Sequence, residues 1–103
     1  MANTVTKSGQ VVSVVFDGSS AFSLATELGA AAAGVRLRKL GFYPAATNDV
    51  ITVREGAATG PVLAKLKDVT GVGRDLDFPG LRCFPYVVGN EAPANSVLIF
   101  LFE

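Results

Sequence analysis

Ser96-Val97-Leu98-Ile99-Phe100-Leu101-Phe102-Glu103 closes the chain with six large apolar residues in a row. Successive side chains of a strand point to opposite faces of a sheet, so a strand wetted on one face alternates apolar with polar residues. This segment offers hydrophobic groups to both faces. Such a strand belongs between two covering layers, one from its own domain and the other from a neighbouring subunit. Phe100 and Phe102 are expected on one face and Leu101 on the other. The segment points to a layered β structure and towards assembly.

Outward from that strand the pattern repeats. Leu81 to Val88 (LRCFPYVV) reads as one strand carrying a proline, hence an edge or bulged one. Gly89 to Asn95 turns into the final strand. From Asp68 to Gly80, the glycines at 71, 73 and 80 with Pro79 make a long connection, in which Leu76 and Phe78 form a short strand or pin the loop to the core. Val50–Arg54 and Val62–Lys67 pair across the hairpin-length loop Glu55–Gly60, with Lys65 and Lys67 outward and Pro61 at a strand start, where a missing amide hydrogen does least harm. Tyr43 to Asp49 forms a turn. Val35 and Leu37 alternate with Arg36 and Arg38, then the phase slips at Lys39 so that Leu40 and Phe42 continue the apolar face. One extra residue in a strand is the signature of a β-bulge.

Nearer the amino end, Val11 to Phe16 is a β-branched, buried strand closed by the turn Asp17-Gly18-Ser19-Ser20. Residues 21–33 (AFSLATELGAAAA) carry two patterns. Leu24, Ala25, Glu27, Leu28 and the alanines favour a helix, while Phe22, Leu24, Thr26 and Leu28 sit at a strand period and Gly29 interrupts the run. We read a strand over 21–28 and an Ala-rich loop after it. The total is seven to eight strands in an all-β, antiparallel sandwich or jelly-roll-like fold. It forms a single domain over 11–103, preceded by a flexible or extended amino-terminal arm over 1–10.

Composition narrows the function. At 103 residues the chain makes one domain, with a core of small margin. Nine Lys and Arg balance nine Asp and Glu, and only 17% of residues are charged. That balance argues against nucleic-acid and membrane-surface partners, which are held by excess positive charge. It also leaves little electrostatic protection against self-association. The amino end has no basic cluster leading into an apolar stretch, and the apolar runs fall far short of the ~20 residues of a membrane helix. A soluble protein made in the cytoplasm is expected. One cysteine permits no intramolecular disulfide.

Catalytic chemistry finds little footing. There is no histidine, which removes the commonest general base and metal ligand along with any Ser-His-Asp or Cys-His arrangement. No catalytic, metal or cofactor residue is expected. Cys83, between Arg82 and Phe84, reads as a buried structural thiol. Asp75 and Asp77 would share a face of a strand, but the calcium-loop pattern is missing and a solvated loop is the reading. Gly71-Val72-Gly73 lacks the spacing and the Lys-Ser/Thr of a phosphate loop. Arg36 and Arg38 with Lys65 and Lys67 could form basic rows, read as a solvated face paired with acids; a docking face for an acidic partner is the alternative.

The stretch from Val35 to Leu66, VRLRKLGFYPAATNDVITVREGAATGPVLAKL, holds a Phe-Tyr-Pro-Ala-Ala block, an Asn-Asp turn into an apolar strand, then Arg-Glu-Gly-x-x-Thr-Gly-Pro-Val. With the block Pro-Ala-Asn-x-Val-Leu-Ile at Pro93 to Ile99, it resembles small structural proteins of tailed bacteriophages, including capsid decoration (cement) proteins of β-sandwich or jelly-roll form. The two blocks cover about two-fifths of the chain, and no functional residue transfers with them. The resemblance implies a non-enzymatic virion protein without cofactor. Its partner would be the major capsid protein, bound on the outer head surface, and the protein itself would be a homo-oligomer, a trimer above all. Ala2, Asn3, Thr4, Val5 and Thr6 of the arm would then reach onto a neighbour, and Leu98, Phe100 and Phe102 would supply a subunit seam. The alternative is a carbohydrate-binding sandwich of a tail or fibre, with Tyr43, Tyr86 and the Asp75/Asp77 loop as sugar contacts.

Overall fold

The computed structural model describes residues 3–29, 34–68 and 73–102. Within them the chain forms strands β1 (Thr4–Ser8), β2 (Val11–Val15) and β3 (Phe22–Ser23), then the single helical turn α1 (Leu24–Glu27). There follow β4 (Val35–Tyr43), β5 (Asp49–Glu55), β6 (Val62–Asp68), β7 (Arg74–Cys83), β8 (Pro85–Val87), a 3-10 turn at Gly89–Glu91 and β9 (Val97–Phe102). One antiparallel sheet has the order β1-β2-β9-β4-β7 and the other β3-β8-β5-β6. They pack as two layers of a sandwich. The described strands number nine, more than expected, because the amino-terminal segment and the 68–88 region each contribute one.

The closing strand lies at the centre of the five-stranded sheet, flanked by β2 and β4. Val12 and Leu40 sit opposite Phe100 on its two sides, and Val14 and Phe42 opposite Leu98. All six have no exposed surface. Ile51, Val53, Leu66 and Val87 close the core from the four-stranded sheet. The Phe22 ring crosses between layers, stacked on Phe100 at 5.6 Å and edge-on to Phe16 at 6.5 Å.

The phase slip in β4 is a bulge. Its register shifts between Leu37 and Lys39 against both β7 and β9. Arg38 is the extra residue, and it lets Leu37 and Leu40 both face inward. The β5–β6 hairpin forms as read, with Ala64 and Leu66 buried and Lys65 and Lys67 exposed.

Several expectations change. The strand read over 81–88 is two strands in different sheets. β7 ends at Cys83 and β8 begins at Pro85, which has no amide hydrogen to continue a ladder, so the chain changes layer there. The Phe84 N–H donates to Glu55 Oε1 at 2.5 Å, and the Gly56 N–H donates to the Phe84 carbonyl at 2.8 Å, which holds the crossing to β5. The connection read over 68–80 is strand from Arg74 onward, paired with β4; residues 69–72 lie outside the described residues.

The strand read over 21–28 is limited to Phe22–Ser23. The Ser23 hydroxyl accepts from the Thr26 N–H at 3.4 Å and caps the turn α1, burying Leu24 and Ala25. The Ala-rich loop at 30–33 falls outside the described residues. The amino-terminal segment read as an arm over 1–10 is extended over Thr4–Ser8 and folds back on β2 through Gly9, whose φ of +57° suits glycine at the first central position of a two-residue hairpin turn.

Candidate interaction face

Pairing fixes what each row of the five-stranded sheet faces. Leu98 and Phe100 of β9 point inward with their neighbours on β2 and β4. Val97, Ile99 and Leu101 therefore point outward, beside Val11, Ser13 and Val15 of β2 and Lys39, Gly41 and Tyr43 of β4. The outer residues of β9 are half-buried by one another, while Val11 is 39% and Tyr43 44% exposed. An apolar band thus runs across the middle of the sheet on the side away from the core.

Gly41 opens a hollow in that band. The hollow, of about 170 Å³, is lined by Lys39, Gly41, Tyr43, Asp75, Ile99 and Leu101. A methyl group at position 41 would stand 3.3 Å from Asp75 Oδ1, 3.7 Å from the Tyr43 ring and 3.8 Å from Ile99. The Tyr43 ring is held on its other side by Gly73, where a Cβ would come within 2.6 Å of it. Lys39 and Asp75 pair across β4 and β7 at 3.4 Å, both well exposed. The arrangement is a shallow, apolar-walled socket with one ion pair at its side. It can receive a side chain.

The residues expected at an interface fall in several places. Leu98 and Phe100 are fully buried in the core, so they cannot form a seam; the alternate residues Ile99 and Leu101 occupy the outward positions. Phe102 packs partly buried against the core. Thr4 and Thr6 point outward from β1, whereas Val5 packs against the core. Asn3 is a clamp: its Nδ2 donates to the Ser20 carbonyl at 3.0 Å and its Oδ1 accepts from the Asp17 N–H at 3.0 Å. Ala2 lies outside the described residues.

Sequence reasoning missed Gly41, Ile99 and Leu101 as a site. The signal was present: past the bulge, Gly41 alternates with Leu40 and Phe42, and a glycine at an outward strand position marks a close approach or an opening in the face.

The remaining candidates disperse. Asp75 and Asp77 share the outer side of β7, and Asp75 is taken up by Lys39. Tyr43 stands beside Asp75, but Tyr86 is on β8 in the opposite sheet. Arg36 and Arg38 lie on the five-stranded sheet and Lys65 and Lys67 on the four-stranded one, so the basic rows do not join. Cys83 is buried, and that burial, helped by the nearby Glu55 charge, pushes its thiol up to about 11. A thiol so rarely ionised is a poor nucleophile. Among the described residues no three His, Cys, Asp or Glu gather around a metal-sized space, and no helix is long and apolar enough to cross a membrane. Compared with family models, curated proteins and solved structures, the chain finds no match.

Proposed function

We propose that the chain is a non-catalytic virion structural protein, a capsid decoration (cement) protein that docks on the major capsid protein of a tailed phage head. The apolar band around the Gly41 socket carries this reading, together with the resemblance over Val35–Leu66 and Pro93–Ile99. The three strands that carry the band, spaced ~4.8 Å apart with six residues rising ~3.3 Å each, cover about 300 Å². A stable free complex commonly needs about 800 Å² from each partner. A face of this size holds a subunit in combination with further contacts, which suits a shell where one contact recurs at every equivalent position.

Co-sedimentation tests the reading. The purified protein should pellet with assembled heads and stay in the supernatant with free capsid subunits. Ile99→Lys, which puts a charge in the middle of the band, should abolish pelleting while the protein remains folded. Failure of the wild-type protein to bind any assembled head would overturn the proposal.

One observation favours a second reading: the exposed Tyr43 ring, the socket and the Asp75 carboxylate stand together as a sugar-binding tail component would need. A glycan array distinguishes it, since a hit lost in Tyr43→Ala would move the function there.

A further inference from the structure

The sandwich has four sheet edges, β1 and β7 on one layer, β3 and β6 on the other. Three carry a device against further pairing. β7 holds Arg74, Asp75, Asp77 and Arg82 with Pro79 among them, β6 exposes Lys65 and Lys67, and β3 is two residues long. Charges, proline and shortness are how soluble proteins blunt an edge. β1 (TVTKS) has no proline, and its one charge, the half-exposed Lys7, is paired with Glu27 at 3.3 Å. No strand pairs with its far side among the described residues.

The direction of its main-chain groups follows from β2. Phe102 N–H donates to the Gln10 carbonyl at 3.1 Å and Phe16 N–H to the Ser96 carbonyl at 3.0 Å. Even-numbered residues of β2 therefore bond to β9, and Val11, Ser13 and Val15 bond to β1, where they face Ser8, Thr6 and Thr4. Thr4, Thr6 and Ser8 turn their amides and carbonyls to β2. Val5 and Lys7 turn theirs to the open side.

We propose that this edge binds a second copy of the chain, the two β1 strands pairing antiparallel about a two-fold axis through Thr6. Thr6 is the midpoint of β1, so this register uses the whole strand. Val5 exchanges both main-chain hydrogen bonds with the second copy's Lys7, Thr6 faces Thr6 as a non-hydrogen-bonded pair, and Thr4 faces Ser8. An isologous contact of this kind needs one self-complementary patch. It sets no like charges opposite each other, because Lys7 meets Val5 and is already paired with Glu27. The chain's net charge of zero adds no long-range repulsion. The two sheets become one, and their apolar bands lie on the same side of it. The pairing stands apart from the capsid reading, and its dimer differs from the trimer that the phage resemblance implies.

Sedimentation equilibrium of the purified full chain and disulfide trapping test it. The wild-type protein should be a dimer that dissociates on dilution. Thr6→Cys should form a covalent dimer on mild oxidation, since facing non-hydrogen-bonded residues stand ~4.5 Å apart at Cα, within the span a disulfide accepts. Thr4→Cys should not, because its mate is Ser8, whereas Thr4→Cys with Ser8→Cys should. Buried Cys83 leaves the wild-type protein uncross-linked. Thr6→Lys should weaken the dimer several-fold while leaving the melting temperature of the monomer in place. A monomer at every concentration, a trimer, or a dimer that Thr6→Cys fails to trap would each overturn the proposal; a monomer that gains an extended peptide at β1 would give the edge to a different partner.

Discussion

Along β9, Leu98 and Phe100 meet two layers of side chains, while Ile99 and Leu101, one residue away, meet only each other and their flanking strands. Both sets are large and apolar, so composition does not separate them. What separates them is the phase fixed by β2 and β4: Val12, Val14, Leu40 and Phe42 are inward at the same positions, and Lys39 and Gly41 are outward. The inner set makes the fold and the outer set is free to make a contact. Phe100→Ala should therefore cost about 3–5 kcal/mol, since the ring is fully buried and stacked on Phe22. Equilibrium denaturation in urea measures it. A loss below about 1 kcal/mol would break the distinction between the two sets.

The next test uses one substitution at two glycines of β4 and its lead-in. Gly34 has φ +72°, and a Cβ there would stand 2.8 Å from the Cys83 carbonyl, at the point where the chain leaves one sheet for the other. Gly34→Ala should destabilise by about 1–3 kcal/mol through backbone strain and the clash. Gly41 has no such φ, and a methyl group meets only side-chain atoms that can shift. Gly41→Ala should leave stability unchanged or raise it by up to about 1 kcal/mol, yet fill the socket and weaken attachment to heads. Thermal melts and co-sedimentation of the pair would sharpen the comparison. Equal destabilisation of both variants would mean that the outer face is structural too.

How much of this was legible follows from where local pattern decides the outcome. The bulge at Arg38 could be read because the inward set changes parity across it, from Val35 and Leu37 to Leu40 and Phe42. The β5–β6 hairpin could be read because Lys65 and Lys67 alternate with Ala64 and Leu66. β7 could not. Its glycine and proline look like a loop, and its strand character comes from pairing with β4, which is distant in sequence. The turn α1 depended on whether Ser23 would cap a helix or continue a strand, and the local sequence supports both. At the candidate face, two-sidedness was plain in Val97–Phe102, but a run apolar on both faces cannot say which face turns outward. That is why Leu98 and Phe100 were expected at a seam and lie in the core.

The smallest effect should appear at the rim, where polar contacts replace burial. Asp17 begins the turn from β2 in one layer to β3 in the other. Its carboxylate accepts from the Ser20 hydroxyl at 2.6 Å and from the amides of Ser19 at 2.8 Å and Ser20 at 2.7 Å. These bonds, the Ser20 hydroxyl foremost, lower its pKa from 3.8 to about 2. A carboxyl more acidic in the folded chain than in the unfolded one stabilises the fold fully above the unfolded value. That contribution drains away as pH falls from about 4 towards 2, when the folded carboxylate takes its proton. The melting temperature should therefore drop across that window, and Asp17→Asn should flatten the drop, because an amide accepts hydrogen bonds without titrating. The loop also lies against Gly89, where a Cβ would run into the Ser19 carbonyl, and it joins Phe16 to Phe22, the ring stacked on Phe100, so loosening it reaches both the β8–β9 connection and one side of the core. An acid transition equally steep in Asp17→Asn would place the sensitive carboxylate elsewhere.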